Sequence, residues 1–226
     1  MSIAIIGSSS GLGFEIYNLL KKNNKVFSFS SSNKKKFIKI DLHKLNLKKF
    51  RNDLKRIGQI NEIYYVSNYS FHKKIKNYED KDFQKLSQFN IINFCKIIKI
   101  LVEKNKSLKI NMILSHICFM YNYGFVFYRS HKLFQKVFLQ SLQIEYPKLE
   151  INFYYPGAIN TDFVKNNNYK GKSVFKVMSV QKVASMIIKK KKFINFHDQI
   201  FYFFYKVLPE KFIFKFYSLV LKFLNK

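Results

Sequence analysis

A chain of 226 residues suits one α/β domain or two very small ones, and its 41 Lys and Arg against 13 Asp and Glu give a formal charge of +28. Its content of 48% hydrophobic and 18% aromatic residues supplies ample core material and excludes wholesale disorder. Lys interrupts every apolar stretch before the roughly 20 residues that a spanning helix needs, and the start Met1-Ser2-Ile3-Ala4-Ile5-Ile6-Gly7 has no basic leader region, so a cytoplasmic protein is expected.

Strand-like and helix-like segments alternate from the first residues. Ile3 to Ile6 is a short apolar run ending in glycines, and Leu12, Ile16, Leu19 and Leu20 give 12–22 the spacing of a helix. Strands are predicted at 26–29 and 37–40, a helix near 44–57, a strand at 60–66 and one long amphipathic helix over 80–104. A strand at 108–114, a helix at about 126–145, a strand at 150–155, a helix at 180–190 opened by Ser179 and a last short strand at 193–196 follow. Two aromatic, basic segments close the chain. Such alternation implies a doubly wound, mostly parallel α/β sheet covered by helices on both faces. The simplest division is one domain over 1–196 with a basic, aromatic helical extension over 197–226.

The charge is weaker information than its size suggests. All but three of the basic residues are Lys, spread along the whole chain, and only Arg51, Arg56 and Arg129 could supply the guanidinium forks that read guanine or clamp phosphate. Sequence-specific nucleic-acid binding is not expected. Cys95 and Cys118 sit in apolar stretches without metal-ligand spacing, as buried reduced thiols would, and no metal site is expected.

Glycine is scarce here, with seven in the chain, yet three fall within Gly7-Ser8-Ser9-Ser10-Gly11-Leu12-Gly13, between the first strand and the first helix. The physics of a pyrophosphate cradle explains the placement. Gly7 permits a tight turn, Gly11 lets the backbone approach a phosphate at the helix N-terminus, and Gly13 allows close helix-to-strand packing. A Tyr-x-x-x-Lys motif, in contrast, means little alone. Fifteen Tyr in so Lys-rich a chain give about 2.5 matches by chance, and four occur: Tyr17/Lys21, Tyr69/Lys73, Tyr128/Lys132 and Tyr202/Lys206. Only Tyr128/Lys132 lies on a predicted helix that follows a strand ending in a serine, Ser115 in Lys109-Ile110-Asn111-Met112-Ile113-Leu114-Ser115, 13 residues upstream of the tyrosine.

With the Gly-x-x-x-Gly-x-Gly spacing, that serine and that Tyr/Lys pair, the sequence resembles the short-chain dehydrogenase/reductase family, with a Rossmann-like fold. Tyr154-Tyr155-Pro156-Gly157-Ala158-Ile159-Asn160-Thr161 looks like the family's Pro-Gly-x-Ile-x-Thr segment, and Asn90 stands where the family has its fourth catalytic residue. The resemblance implies a catalytic set of Asn90, Ser115, Tyr128 and Lys132. It implies a dinucleotide cleft built from Gly7, Ser8, Ser9, Ser10, Gly11, Leu12 and Gly13, from Ser31, from Asp41 and Leu42 on the adenine side, from Ser67 and Asn68, from Tyr128 and Lys132, and from Pro156, Gly157, Ile159 and Thr161 on the nicotinamide side. Two departures stand out: Ser67-Asn68-Tyr69-Ser70 replaces the family's Asn-Asn-Ala-Gly, and Ser30 to Lys36 is too short for the usual helix between the second and third strands. His116 and His131 flank the catalytic set and are expected in packing or surface roles.

The expected chemistry is hydride transfer between cofactor and carbonyl carbon, with the protein handling one proton and one developing oxyanion. Tyr128 is the expected general acid and base, its phenol drawn from near pH 10 toward neutrality by Lys132 and, in the oxidation direction, by the positive nicotinamide. Lys132 would also bond the nicotinamide ribose, Ser115 the substrate oxygen, and Asn90 a water linking Lys132 to solvent. After the second strand, Val26-Phe27-Ser28-Phe29-Ser30-Ser31-Ser32-Asn33-Lys34-Lys35-Lys36 offers no acid to grip a ribose 2′-hydroxyl but does offer serines and lysines for a 2′-phosphate, so NADP(H) is expected over NAD(H).

The substrate is expected to be a small carbonyl or alcohol, with anionic character favoured by the charge; Asp162 to Lys176 occupies the substrate-loop position, polar and basic. Residues 189–226 carry nine Lys against Asp198 and Glu210, a net +7. In the last segment Phe212, Phe216, Leu219, Val220 and Phe223 share one helical face, with Lys211, Lys215, Ser218 and Lys222 opposite. Two readings stay open for that face: an anionic membrane surface, or packing against the domain or a second subunit of a homo-oligomer. Two alternatives to the reductase also remain, a catalytically silent NADP-binding or scaffold protein and a nucleotide-sugar epimerase or dehydratase.

Overall fold

Period-2 alternation in short apolar runs builds the centre of the molecule. The computed structural model describes residues 1–32, 37–121, 123–161, 177–193 and 196–224, with side chains through residue 219. Strands β1 (Ser2–Ile6), β2 (Lys25–Ser30), β3 (Ile38–Lys39), β4 (Glu62–Tyr65), β5 (Lys109–Ile113) and β6 (Glu150–Tyr154) form one sheet in the order β3-β2-β1-β4-β5-β6. Every neighbouring pair is parallel. The order reverses between β1 and β4, which opens a crevice at the carboxyl ends of those two strands.

Alternate residues of each strand feed opposite cores. Ile3 and Ile5 of β1, Tyr64 of β4 and Ile113 of β5 pack with helices α1 (Gly11–Leu20) and α6 (Val180–Ile188). Ala4 and Ile6, Ile63 and Tyr65, and Ile110 and Met112 turn to the other face. There they meet α2 (Leu47–Ile57) through Phe50 and Leu54, α4 (Asn93–Lys104) through Phe94, Ile97 and Leu101, and α5 (Val126–Glu145) through Leu139. The doubly wound α/β architecture read from the sequence is therefore the observed one.

Three predicted elements differ in detail. The helix over 80–104 is two α-helical segments, α3 (Asp80–Ser87) and α4, joined by a π-turn over Gln88–Ile92. An inserted residue of this kind leaves the apolar periodicity readable while shifting the face it presents. The third strand is two residues long. The last predicted strand, 193–196, reduces to a single bridge between Phe193 and Tyr155, since Phe196 already opens a helix; residues 194 and 195 lie outside the described residues.

The C-terminal extension is a helical pair, α7 (Phe196–Val207) and α8 (Glu210–Leu224), broken at Pro209, which has no N–H to carry one helix through. Its inward face joins the main core: Phe201, Tyr202 and Tyr205 of α7 pack on it, and Ile213 and Tyr217 of α8 are buried in it. The apolar face predicted for the last segment is a different one. Phe212, Phe216 and Leu219 remain more than half exposed, and Val220, Lys222 and Phe223 lie beyond the described side chains. No helix among the described residues is long and apolar enough to cross a membrane.

Candidate active site

The first βα turn is shaped by its glycines. Gly7 has φ +95°, where a side chain is strained, and a Cβ there would overlap Ser67 at the end of β4. At Gly13 an added Cβ would run into the Gly7 carbonyl, so helix α1 can start this close to β1 only with glycine at that position. Ser8 is fully buried beneath the turn and its hydroxyl hydrogen-bonds the Ser28 hydroxyl of β2. Ser9, Ser10 and Gly11 face a cavity of about 740 Å3 at the N-terminus of α1, the end of a helix whose first N–H groups have no partner within the helix and whose dipole favours an anion.

The same cavity is lined by Ser115, Tyr128 and Lys132. Ser115 ends the β5 segment and its Oγ accepts from the Ile117 N–H at 3.3 Å, which caps the short turn His116–Cys118. Tyr128 and Lys132 lie on one face of α5, one turn apart. The Tyr128 phenol is hydrogen-bonded to Ser115. Desolvation raises its pKa above the ordinary tyrosine value, and the bond to Ser115 pulls the other way. The expected downward pull from Lys132 is not among the causes of this shift: Lys132 Nζ donates to the Ile113 carbonyl at 2.9 Å. Burial brings the Lys132 pKa down to about 8, so its proton is held far less firmly than on a surface lysine.

Asn90 lies behind the cavity wall, in the π-turn, and does not line the cavity. Its amide nitrogen donates to the Tyr69 carbonyl at 2.6 Å and the Leu86 carbonyl at 3.1 Å, its amide oxygen accepts from the Tyr69 N–H at 3.0 Å, and its own carbonyl accepts from Gln135 at 2.9 Å. This clasp explains how the segment Ser67-Asn68-Tyr69-Ser70 fits. The Tyr69 ring packs against His43, Phe89 and Phe71 and does not line the cavity, while Ser67 and Asn68 do. Asn68 is held in turn by His131, whose Nε2 lies 2.7 Å from the Asn68 Oδ1.

Farther along the cleft, Ser31, Asp41 and Leu42 line the cavity after β2 and β3. Asp41 Oδ1 accepts from the His43 N–H at 2.8 Å, and the Leu42 carbonyl accepts from Asn93 of α4 at 2.8 Å. Asn33 to Lys36, which carry the basic part of the 2′-phosphate expectation, lie outside the described residues, as do Asp162 to Lys176 of the substrate-loop expectation. Pro156, Gly157, Ile159 and Thr161 line the remaining wall. The Pro156 carbonyl accepts from the His116 N–H at 3.0 Å, and a Cβ on Gly11 would meet the Thr161 methyl at 3.3 Å, so this segment closes over the glycine turn.

Of the predicted site residues, then, all but Ser8 and Asn90 face one cavity. The donor set fits a dinucleotide: backbone N–H groups at a helix start, one turn with two glycines where a Cβ cannot be accommodated, and a buried ammonium on the same wall as two hydroxyls. Sequence reasoning missed His116. It lines the cavity next to Ser115, and its Nδ1 lies 3.3 Å from Oδ1 of Asp198, a fully buried residue of α7. Tyr121 likewise donates to Glu210 of α8 at 3.1 Å, with Arg129 stacked 4.2 Å from its ring centre. The only signal for these links was an acid in each of two otherwise basic segments.

The chain belongs to the short-chain dehydrogenase family, whose description matches it over residues 2–172, and it is an oxidoreductase of that type. Among solved structures it is similar to a short chain dehydrogenase from Burkholderia cenocepacia J2315 in complex with NADP, at 11% identity, covering 100% of this chain and 97% of that one with a TM-score of 0.77. A short chain dehydrogenase family protein from Francisella tularensis subsp. tularensis SCHU S4 is similar at 22% identity, 84% and 92% coverage and a TM-score of 0.70. An alcohol dehydrogenase from the archaeon Thermococcus sibiricus, complexed with 5-hydroxy-NADP, is similar at 18% identity, 83% and 88% coverage and a TM-score of 0.70. No curated protein matches the sequence.

Proposed function

We propose that the protein is an NADP(H)-dependent oxidoreductase that interconverts a carbonyl and an alcohol, with Tyr128 as general acid and base. The observation that carries this reading is the hydrogen-bonded Ser115–Tyr128 hydroxyl pair on the wall of the cavity that the glycine turn also lines, with Lys132 one helical turn away. Family membership and solved relatives with NADP or 5-hydroxy-NADP bound support the cofactor class.

NADP(H) supplies the hydride when bound. The turn from Gly7 to Gly13 holds the pyrophosphate at the start of α1, with Ser8 bracing it from below. Asp41 and Leu42 take the adenine side, Ser31 the 2′-phosphate side, and Pro156, Gly157, Ile159 and Thr161 the nicotinamide amide. Ser67 and Asn68 form the floor between β1 and β4. In the reductive direction Ser115 donates to the substrate oxygen and Tyr128 gives that oxygen its proton; in the oxidative direction Tyr128 takes it back. Lys132 bonds the nicotinamide ribose, and the Ser115 hydroxyl is the group that favours the phenolate as Tyr128 loses its proton. Asn90 acts as a positioning residue that holds the Tyr69 backbone.

In this reading residues 1–196 are the cofactor-binding domain and 197–226 an extension built onto it. The substrate is a small carbonyl or alcohol, with anionic character favoured by the +28 charge. The protein works in the cytoplasm, with its extension turned to an anionic membrane surface.

The deciding experiment follows NADPH absorbance over a panel of carbonyl compounds with wild type and Tyr128→Phe. A loss of about 10²–10⁴ in kcat with NADPH-induced thermal stabilisation retained is expected. Equal turnover in both removes Tyr128 from the mechanism. Silence in both, with NADPH still bound, makes the protein a cofactor-binding scaffold, and stronger stabilisation by NADH reverses the cofactor preference.

A further inference from the structure

The helical pair α7 and α8 has two faces of unequal chemistry. Asp198, Phe201, Tyr202 and Tyr205 lie on the side of α7 that meets the domain, and Ile213 and Tyr217 do the same for α8. On the opposite side of α7, Phe196, Ile200, Phe203, Phe204 and Val207 recur at intervals of four, three, one and three residues, a continuous helical stripe without a charge in it. Phe196 is 70% exposed, Phe203 60% and Val207 61%. On α8, Phe212, Phe216 and Leu219 form a second exposed stripe, with Lys211 and Lys215 along its edge.

A monomeric surface rarely leaves so many large apolar side chains together in water, so the face calls for a covering partner. Charge identifies which one. Both acids of the extension are turned to the domain, Asp198 to His116 and Glu210 to Tyr121, so the charged groups left beside the apolar stripes among the described side chains are Lys206, Lys211 and Lys215. A second copy would bring a chain of +28 against another of +28. Phenylalanines for an acyl boundary rimmed by lysines for headgroups match an anionic bilayer surface instead.

We propose that α7 and α8 dock flat on an anionic membrane surface through these two outward stripes, held to the domain by the His116–Asp198 and Tyr121–Glu210 links. The proposal rests on the membrane-side placement of the extension and is independent of the reductase chemistry. Because the links reach the segment directly after Ser115, the docked face and one wall of the cavity are opposite sides of one small unit.

The test is co-sedimentation of the full chain with phosphatidylcholine vesicles, with and without phosphatidylserine, at low and high salt. Wild type is expected to partition to the phosphatidylserine vesicles and to be released by salt. The triple variant Phe203→Ser, Phe204→Ser, Val207→Ser is expected to bind roughly tenfold more weakly or less, with NADPH-induced thermal stabilisation unchanged, which also reports that it folds. Should that variant lose its fold, Lys206→Glu with Lys211→Glu and Lys215→Glu tests the same surface through charge, and a similar loss is expected. Wild-type affinity in a folded variant, or indifference to phosphatidylserine, overturns the proposal. So does a wild type that ignores vesicles but forms dimers that the triple variant dissociates, since the face would then be a subunit interface. NADPH turnover in the same preparations separates any of these failures from failure of the reductase reading.

Discussion

His131 Nε2 and Asn68 Oδ1 lie 2.7 Å apart and tie helix α5 to the segment that follows β4. An amide oxygen can only accept, so Nε2 carries the hydrogen and donates it. Burial, and then the neighbouring Lys132 charge, push the His131 pKa well below that of a free imidazole, so the ring is neutral throughout the physiological range. The pair therefore works as a fixed strut between the Tyr128/Lys132 face and the floor of the cofactor cleft. His131→Ala leaves Asn68 Oδ1 without its donor in a partly buried position on the cavity wall and is expected to destabilise the fold by about 1 kcal/mol in urea unfolding. Because the floor of the cleft loosens, KM for NADPH is expected to rise more than kcat falls. A variant with unchanged stability and unchanged KM would show that the contact has no positioning value.

Lys132 sets function against stability. Its ammonium is buried and its pKa lowered from 10.5 to about 8, so folding is opposed by the charged form. The unfolded chain binds more protons than the folded one between about pH 8 and 10.5. Stability is therefore expected to rise with pH across that window, and the cost, of the order of 3 kcal/mol, is fully present below it. Lys132→Met is expected to remove this slope, to raise the melting temperature at neutral pH and to abolish turnover. Melting curves of both proteins from pH 7 to pH 10 check this; parallel curves would mean that the lysine is not buried as an ammonium.

The glycine turn makes a steric prediction. At Gly13 an added methyl would overlap the Gly7 carbonyl, and neither group can move without parting α1 from β1. Gly13→Ala is expected to cost more than the 0.5–1 kcal/mol that this change usually gains in a helix, with the sign reversed, and to abolish thermal stabilisation by NADPH. Gly58, where an added Cβ meets nothing within 4 Å but φ is +83°, is the control. Gly58→Ala is expected to be mildly destabilising and to leave NADPH binding intact.

How much of this was legible in the sequence depends on which signals the composition leaves informative. The glycine turn could be read because glycine is rare in this chain, and Ser115, Tyr128 and Lys132 because order and spacing chose among four chance-level motifs. Strand and helix positions followed from periodicity, within two or three residues for most elements. The π-turn was hidden because one inserted residue leaves 80–104 amphipathic as a whole. The inner face of α8 was hidden for a related reason. With Phe, Ile, Leu or Tyr at most positions from 212 to 219, that helix carries two apolar stripes, and only docking selects Ile213 and Tyr217 as the inner one. The role of Asn90's amide and the direction of the Tyr128 shift depend on which carbonyls the side chains reach, which spacing does not encode.

Asp198 is the residue that joins the extension to the site. It is fully buried, and its partner His116 follows Ser115 directly and donates its backbone N–H to the Pro156 carbonyl. A buried carboxylate that loses its partner, or an imidazole that loses its carboxylate, destabilises the segment between them. Asp198→Ala is expected to lower stability by about 1–3 kcal/mol and to disturb the wall formed by His116, which faces the cavity beside Ser115. KM for the carbonyl substrate is then expected to rise several-fold while KM for NADPH stays within about twofold, because the glycine turn and the Asp41 side of the cleft do not touch α7. Asp198→Asn keeps the shape and one acceptor and is expected to fall between wild type and Asp198→Ala in both readouts. An Asp198→Ala enzyme that is less stable but kinetically unchanged would confine the extension to a structural role. A rise in both KM values together would place the disturbance in the sheet instead of the His116 wall.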